Sequence, residues 1–301
     1  MVRMMSFGNV YIFPGQGSQF IGMGKDHYEA NHDFKSIVDQ ADELLGFSLS
    51  EIMFEGPDEL LRQTENTQPA IFLHSVALFQ TLNVTPDAVA GHSLGEFSAL
   101  VACKALKLED ALKIVRQRGL LMQNAGFVNP GTMAAVIGLS DEIVEEVCSE
   151  ASDATGQVVV PANYNSPGQL VISGNEIAID KAIELLQAKG CKLAKKLPVS
   201  GAFHSPLMQP AYDGLKDSLE NLNIEKPFCP IFSNFTASAT TDPEIIRVNL
   251  LNQLMNPVKW TQTMFNMELA GYSNYIEVGP GKVLQGLVKR TVKTAEFSGY
   301  Q

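Results

Sequence analysis

The chain is expected to fold as an α/β protein, with a large domain built on a mainly parallel sheet and a small inserted subdomain of ferredoxin-like order. Through residue 124, short apolar runs alternate with segments of helical period, the pattern that gives a parallel sheet covered by helices. After Asn129-Pro130-Gly131 the order becomes βαββαβ, which is the signature of a ferredoxin-like unit. Between these regions, GHSLGE at 91–96 follows the apolar run Ala88-Val89-Ala90 and precedes a helical pattern. Strand, sharp turn and helix in that order is the setting in which Gly-x-Ser-x-Gly exposes a serine hydroxyl.

Residues 9–13 read as a buried strand that stops at Pro14-Gly15-Gln16-Gly17-Ser18, a turn whose glycines permit close backbone approach. Helices are expected at 27–45, 68–81, 94–104 and 108–124, with a strand running into Ser93. The insert, 129–198, is read as strand 132–138, helix 141–152, strands 157–162 and 169–173 around Asn-Ser-Pro-Gly, helix 176–189 and strand 192–199. The large domain, 1–128 and 199–301, resumes with a helix at 206–222 and strands at 231–234 and 275–278. It closes with the turn Gly279-Pro280-Gly281 and a helix at 282–292.

With 301 residues and 45% hydrophobic content the chain can bury a sizeable core. A formal charge of -11 argues against nucleic acid or an anionic membrane as the main partner. Cys103, Cys148, Cys191 and Cys229 lie far apart without C-x-x-C spacing, so reduced, buried thiols are expected rather than disulfides or a zinc site. The start, MVRMMSFGNVYIF, lacks a leader-like apolar core and cleavage site, and no run reaches the ~18 apolar residues of a membrane span. Cytoplasmic residence is the default expectation.

Ser93 is the candidate nucleophile, against the alternative of a plain surface turn, and the helix after it would point free N–H groups at a developing oxyanion. Its base must be one of five histidines. His27 and His32 sit in a polar stretch and are read as solvated, His74 as a hydrogen-bonded structural residue, and His92 as pointing away from its neighbour Ser93. His204 lies in a loop at a strand end, where open α/β sheets gather catalytic groups, and is the candidate base, an ordinary loop histidine being the alternative. Arg118 falls within roughly 50° of the centre of an apolar helical stripe formed by Leu108, Ala111, Leu112, Val115, Gly119 and Met122, whereas Arg116 lies well off it. An inward guanidinium needs an acceptor. Either an internal ion pair or snorkelling supplies it, or the fork grips a substrate carboxylate with two parallel hydrogen bonds.

Eight ordered motifs carry a resemblance: FPGQGSQ at 13–19, TQPA at 67–70, GHSLGE at 91–96, QRG at 117–119, NSPGQ at 165–169, FHS at 203–205, NPVKW at 256–260 and EVGPGKVL at 277–284. Together they resemble the malonyl-CoA:acyl carrier protein transacylases almost end to end. The resemblance implies an α/β-hydrolase-like large domain with a ferredoxin-like insert. By position, it implies Ser93 as nucleophile, His204 as base, the main-chain N–H groups of Gln16 and Leu94 as oxyanion donors, and Arg118 as receptor for the free carboxylate of malonate. Gln253 corresponds to the position whose carbonyl oxygen steadies the histidine in place of a triad aspartate. Gln68 and Asn165 sit in pocket motifs, with loop bracing as an equal account. Phe203 fits a pocket that admits malonyl and crowds out an α-methyl group.

The implied chemistry is ping-pong transfer from malonyl-CoA, through a malonyl ester on Ser93, to the phosphopantetheine thiol of acyl carrier protein, with no metal and no bound cofactor. A monomer is the working expectation. Because carrier proteins of this system are generally acidic, docking calls for a local basic patch on an acidic chain. Lys189, Lys192, Lys195 and Lys196 form one candidate, with Lys282, Lys289 and Arg290 as a second group, and a solvated face is the alternative for either. Rival functions are a stand-alone acyltransferase of a polyketide synthase, a serine thioesterase or other hydrolase, and a catalytically idle carrier-binding module.

Overall fold

The computed structural model describes residues 7–301, so part of the stretch read as lacking a leader lies outside the described residues. In chain order, strand β1 (Phe7–Phe13) is followed by helices α1 (Lys25–Ala30), α2 (His32–Leu45), α3 (Leu49–Phe54), α4 (Asp58–Leu61) and α5 (Thr64–Thr81). Strand β2 (Ala88–Gly91) and helices α6 (Gly95–Ala102) and α7 (Leu108–Val128) come next. The middle of the chain adds β3 (Thr132–Ile137), α8 (Asp141–Thr155), β4 (Val159–Ser166), β5 (Gln169–Gly174), α9 (Glu176–Ala188) and β6 (Leu193–Lys196). A 3-10 turn at Pro206–Met208 leads to α10 (Gln209–Glu220), β7 (Ile231–Phe232), β8 (Ala239–Thr240), α11 (Pro243–Gln253), α12 (Trp260–Leu269), β9 (Tyr272–Val278), α13 (Val283–Thr291) and β10 (Glu296–Tyr300).

The large sheet has the order β10-β9-β1-β2-β7-β8 and is parallel except for the β7–β8 pair. Its central strands are buried on both faces, as parallel strands between helical layers must be. Val10 and Ile12 of β1 join a cluster with Trp260 and Met264, while Tyr11 and Phe13 point the other way into the cluster of α5, α6 and α7, following the two-residue alternation of a strand. The second sheet, β4-β5-β3-β6, is wholly antiparallel. In chain order that is the ferredoxin-like arrangement expected from the βαββαβ pattern. Helices α8 and α9 cover one of its faces through Val144, Val147, Ile179 and Leu186. The other face, with Ala135, Asn163 and Val171, turns toward the loop after β1 and lines a cleft of about 270 Å³.

Several expected elements differ in detail. The helix expected over 27–45 is two helices, because Asn31 turns extended and its side chain caps α2 by accepting from Asp33 and Phe34 N–H. Helix α5 begins at Thr64 rather than 68, although Pro69 lies inside it. Proline has no N–H for the Glu65 carbonyl, and the guanidinium of Arg116 donates to that carbonyl instead. The strand expected at 192–199 ends at Lys196, and that at 231–234 ends at Phe232. Helices α3, α4, α11 and α12 and strands β8 and β10 were not expected from the sequence. Three of the four cysteines are buried and all four are free thiols.

Candidate active site

The turn after β2 places Ser93 in the left-handed region, φ +52, a strained position for a residue with a Cβ. The flanking glycines make that turn possible by close contact. A Cβ on Gly91 would lie 1.8 Å from Gly95 C, and one on Gly95 would lie 2.1 Å from Phe13 O. Asn234 clips the turn from the next strand, accepting from Ser93 N–H at 2.6 Å and donating to Gly91 O at 2.7 Å. Strand β7 ends two residues early because the main chain there pairs elsewhere: the Asn234 N–H donates to Glu96 Oε2 at 3.4 Å and the Asn234 carbonyl accepts from Lys259 N–H at 3.0 Å. The main-chain N–H groups of Gln16 and Leu94 have no acceptor among the described residues. Both residues line a cavity of about 90 Å³ that also holds Ser93, His204, Met122 and Phe203.

His204 Nε2 lies 2.8 Å from Ser93 Oγ, and its Nδ1 lies 2.8 Å from the main-chain oxygen of Gln253. A carbonyl oxygen can only accept, so Nδ1 carries the proton and Nε2 presents its lone pair to the serine. The loop that delivers His204 is itself strained, with φ +56 at this residue. Burial, and then the charge of Arg118, push the imidazole down to about 3, so it is neutral at physiological pH.

Arg118 projects from α7 and is 1% exposed. Its Nη1 donates to Gln68 Oε1 at 2.7 Å, and its Nη2 to Gln253 Oε1 at 2.9 Å and Ser93 Oγ at 3.2 Å. Its Nε has no partner among the described residues. Gly119 allows this arrangement, since a Cβ there would lie 2.8 Å from Thr64 O and hold α5, with Gln68, away from α7. Burial lowers the guanidinium to about 10, opposed by the attraction of Glu96, so it remains charged. Glu96 is 2% exposed. Burial pushes its carboxyl up to about 7 against hydrogen bonds from Gln253, Asn234 and Ser233 and the pull of Arg118.

The structure thus brings Ser93, His204, Gln16, Leu94, Gln68 and Phe203 together around one small cavity, and Arg118 and Gln253 join the group through hydrogen bonds to Ser93. Asn165 stands a step away, where its Oδ1 meets His92 Nε2 at 2.8 Å. His92 rests against Trp260, ring centroids 5.5 Å apart, and Val258 of the same NPVKW segment bonds to Ala162 and Tyr164 of β4. This contact ties the antiparallel sheet to the large one. His74 departs from expectation. It is buried against Phe34, its Nδ1 has no hydrogen-bond partner among the described residues, and burial drives it down to about 3.

The four lysines do not share a face. Lys196 pairs with Glu176 and Asp180 on the helix side, and Lys189 with Glu146. Lys195, one residue along the strand, stands opposite Ala135 and so points to the cleft side. Among the described residues no group of His, Cys, Asp or Glu gathers in a way that could hold a metal ion. Reading the sequence alone missed Asn234 and Glu96. For Glu96 a signal existed, a lone carboxylate in the otherwise uncharged helix GEFSALVA.

A family model described as acyl transferase domain matches residues 10–300. The malonyl CoA-acyl carrier protein transacylase of Bacillus subtilis (strain 168) is 44% identical over 294 residues, which cover 96% of this chain and 92% of that protein. The protein of the same name from Staphylococcus aureus (strain MRSA252) is 40% identical over 291 residues, 96% of this chain and 94% of that one. Among solved structures, the malonyl CoA-acyl carrier protein transacylase from Coxiella burnetii matches with a TM-score of 0.94 at 40% identity, covering 98% of this chain and 94% of that chain. A malonyl-transacylase in complex with its type II PKS acyl-carrier protein matches with a TM-score of 0.93 at 38% identity, covering 98% and 96%.

Proposed function

The chain belongs to the acyl transferase domain family, among the malonyl-CoA:acyl carrier protein transacylases, and on that premise we propose that it transfers malonyl from coenzyme A to a carrier-protein thiol through an ester on Ser93. The observation that carries this reading is the position of Ser93 Oγ, 2.8 Å from His204 Nε2 and 3.2 Å from the Arg118 guanidinium. One hydroxyl has a base on one side and a carboxylate receptor on the other.

In the first half-reaction, the Ser93 hydroxyl proton passes to His204 Nε2 while Oγ forms a bond to the thioester carbonyl carbon. The oxyanion is held by the N–H groups of Gln16, in the loop after β1, and Leu94, at the start of α6 where the helix also favours negative charge. Collapse breaks the carbon–sulfur bond, and coenzyme A leaves with the proton from Nε2. In the second half, the phosphopantetheine thiol gives its proton to Nε2 and its sulfur attacks the ester, and Ser93 Oγ leaves and recovers the proton.

The free carboxylate of malonate would meet Arg118, whose neutral partners Gln68 and Gln253 are weaker acceptors than an anion. Its binding would also offset the cation that depresses His204, raising the base's proton affinity when the correct donor is in place. Phe203 and Met122, at the wall of the small cavity, would limit substitution on the α-carbon. No bound cofactor or metal enters this scheme. Cytoplasmic residence and supply of extender units for fatty-acid synthesis are part of the same reading.

Release of coenzyme A from malonyl-CoA, measured with and without purified holo-carrier protein, tests it. Steady turnover that requires the carrier supports transfer. Equal steady release without carrier would instead identify a thioesterase.

A further inference from the structure

Gln253 serves the site from two sides. Its main-chain oxygen takes His204, while its side-chain amide lies between Arg118 and Glu96. Oε1 accepts from Arg118 Nη2 at 2.9 Å. Nε2 donates to Glu96 Oε2, to Ser93 O at 3.0 Å and to Asn234 Oδ1 at 3.4 Å. Gln253 is completely buried, which removes the screening that would make the two amide orientations nearly equivalent. Turned by 180°, the amide would set its oxygen against a carboxylate and two further oxygens, and its NH2 against a guanidinium. Among those three acceptors only Glu96 can carry a charge, in the ionised form that the hydrogen bonds from Gln253 and Asn234 and the pull of Arg118 favour against burial, and charged acceptors dominate such a choice.

We propose that Glu96 is a positioning residue for recognition of the donor's carboxylate: it locks the Gln253 amide with its oxygen toward Arg118 and so holds the guanidinium fork facing Ser93. This rests on the reading of Arg118 as the carboxylate receptor. The amide also acts as a spacer. Direct contact between Glu96 and Arg118 would fill the fork with the protein's own carboxylate, and the substrate would have to displace it. Through Gln253, the carboxylate supplies a nearby counter-charge for a buried cation while leaving neutral oxygens, Gln68 Oε1 and Gln253 Oε1, in the fork. An incoming carboxylate is a stronger acceptor than either. Glu96 is suited to this duty by its place in the first turn of α6, within three residues of the nucleophile. There the Asn234 N–H also donates to its Oε2, at 3.4 Å.

The test is Glu96→Gln, which keeps the shape but can present either end of its own amide to Gln253. Acylation rates from malonyl-CoA and from acetyl-CoA are measured on the same preparation, so that any inactive fraction cancels in their ratio. The malonyl rate is expected to fall about tenfold relative to the acetyl rate. Glu96→Asp, which retains the charge with a shorter reach, is expected to give an intermediate ratio and carries the test if the glutamine variant does not fold. Losses in equal proportion for both donors, or an unchanged ratio, would overturn the proposal and leave Glu96 a packing residue. Arg118→Ala is run in parallel. A changed ratio there with an unchanged ratio for the Glu96 variants rejects the positioning role alone, whereas an unchanged ratio in Arg118→Ala rejects the receptor and the positioning role together.

Discussion

The main-chain oxygen of Gln253 and Nδ1 of His204 are 2.8 Å apart, so the group that sets the tautomer of the histidine is a backbone carbonyl rather than a carboxylate. A neutral acceptor orients the ring without adding negative charge beside it. The depression of His204 by burial and by Arg118 is therefore opposed only by neutral groups.

Replacement of Gln253 by alanine separates the two duties of that residue. The carbonyl that holds His204 remains, and the amide that holds Arg118 is lost. Acylation from acetyl-CoA is expected to change by less than about threefold, while that from malonyl-CoA falls by about tenfold or more. Stability should drop by about 1–3 kcal/mol, because buried partners are left unpaired. Single-turnover acylation and thermal unfolding of the same variant check both.

Arg118→Ala removes the cation that, after burial, contributes most to lowering His204. Without it the imidazole binds protons more readily, so the acid limb of kcat/KM for acetyl-CoA should move to higher pH. The malonyl donor should lose about two powers of ten or more, as expected when a charged contact is deleted. A pH profile of acylation for the variant and the parent reads both effects.

How much of this site was legible in the sequence depends on how local each signal is. The elbow at Ser93 is written in six consecutive residues, since Gly91 and Gly95 answer contacts made within the turn and with β1. Arg118 showed itself by lying inside an apolar stripe, a purely helical periodicity. Gln253 and Asn234 could not be found that way. Their roles arise where α11 and the end of β7 meet the elbow, more than 140 positions away in the chain for both side-chain contacts to Ser93. Gln253 entered only through resemblance, and Asn234 was read as the last residue of a strand. Helix α11 gives no periodic signal, because its apolar residues do not gather on one side. The start of α5 at Thr64, four residues before the expected 68, is not a local signal either, because the guanidinium that serves the Glu65 carbonyl left free by Pro69 comes from α7.

His74 gives a stability prediction with a defined sign. Burial holds its folded-state pKa down at about 3, below the ordinary histidine value of 6.5. The folded protein therefore resists taking up this proton, and the contribution to stability is complete above pH 6.5 and lost as pH falls toward 3. By pH 5 the loss is about 2 kcal/mol. His74→Leu should flatten the decline in stability between pH 7 and pH 5 by that amount, as measured by urea unfolding at each pH.

The two faces of β6 distinguish among the basic residues proposed for docking. Lys195 is exposed on the cleft side, whereas Lys196 is engaged by Glu176 and Asp180. Charge reversal in Lys195→Glu should raise the apparent KM for an acidic carrier protein about threefold or more at low salt and leave KM for malonyl-CoA unchanged. Lys196→Glu should leave the carrier KM near that of the parent. Transfer kinetics over a range of carrier concentrations separate the two.

Peptide mass mapping after brief exposure to labelled malonyl-CoA tests the central claim most directly. The account requires a malonyl ester on the peptide that carries Ser93, which disappears when holo-carrier protein is added and reappears as malonyl on the carrier. Transfer proceeding while Ser93 stays unmodified would contradict it.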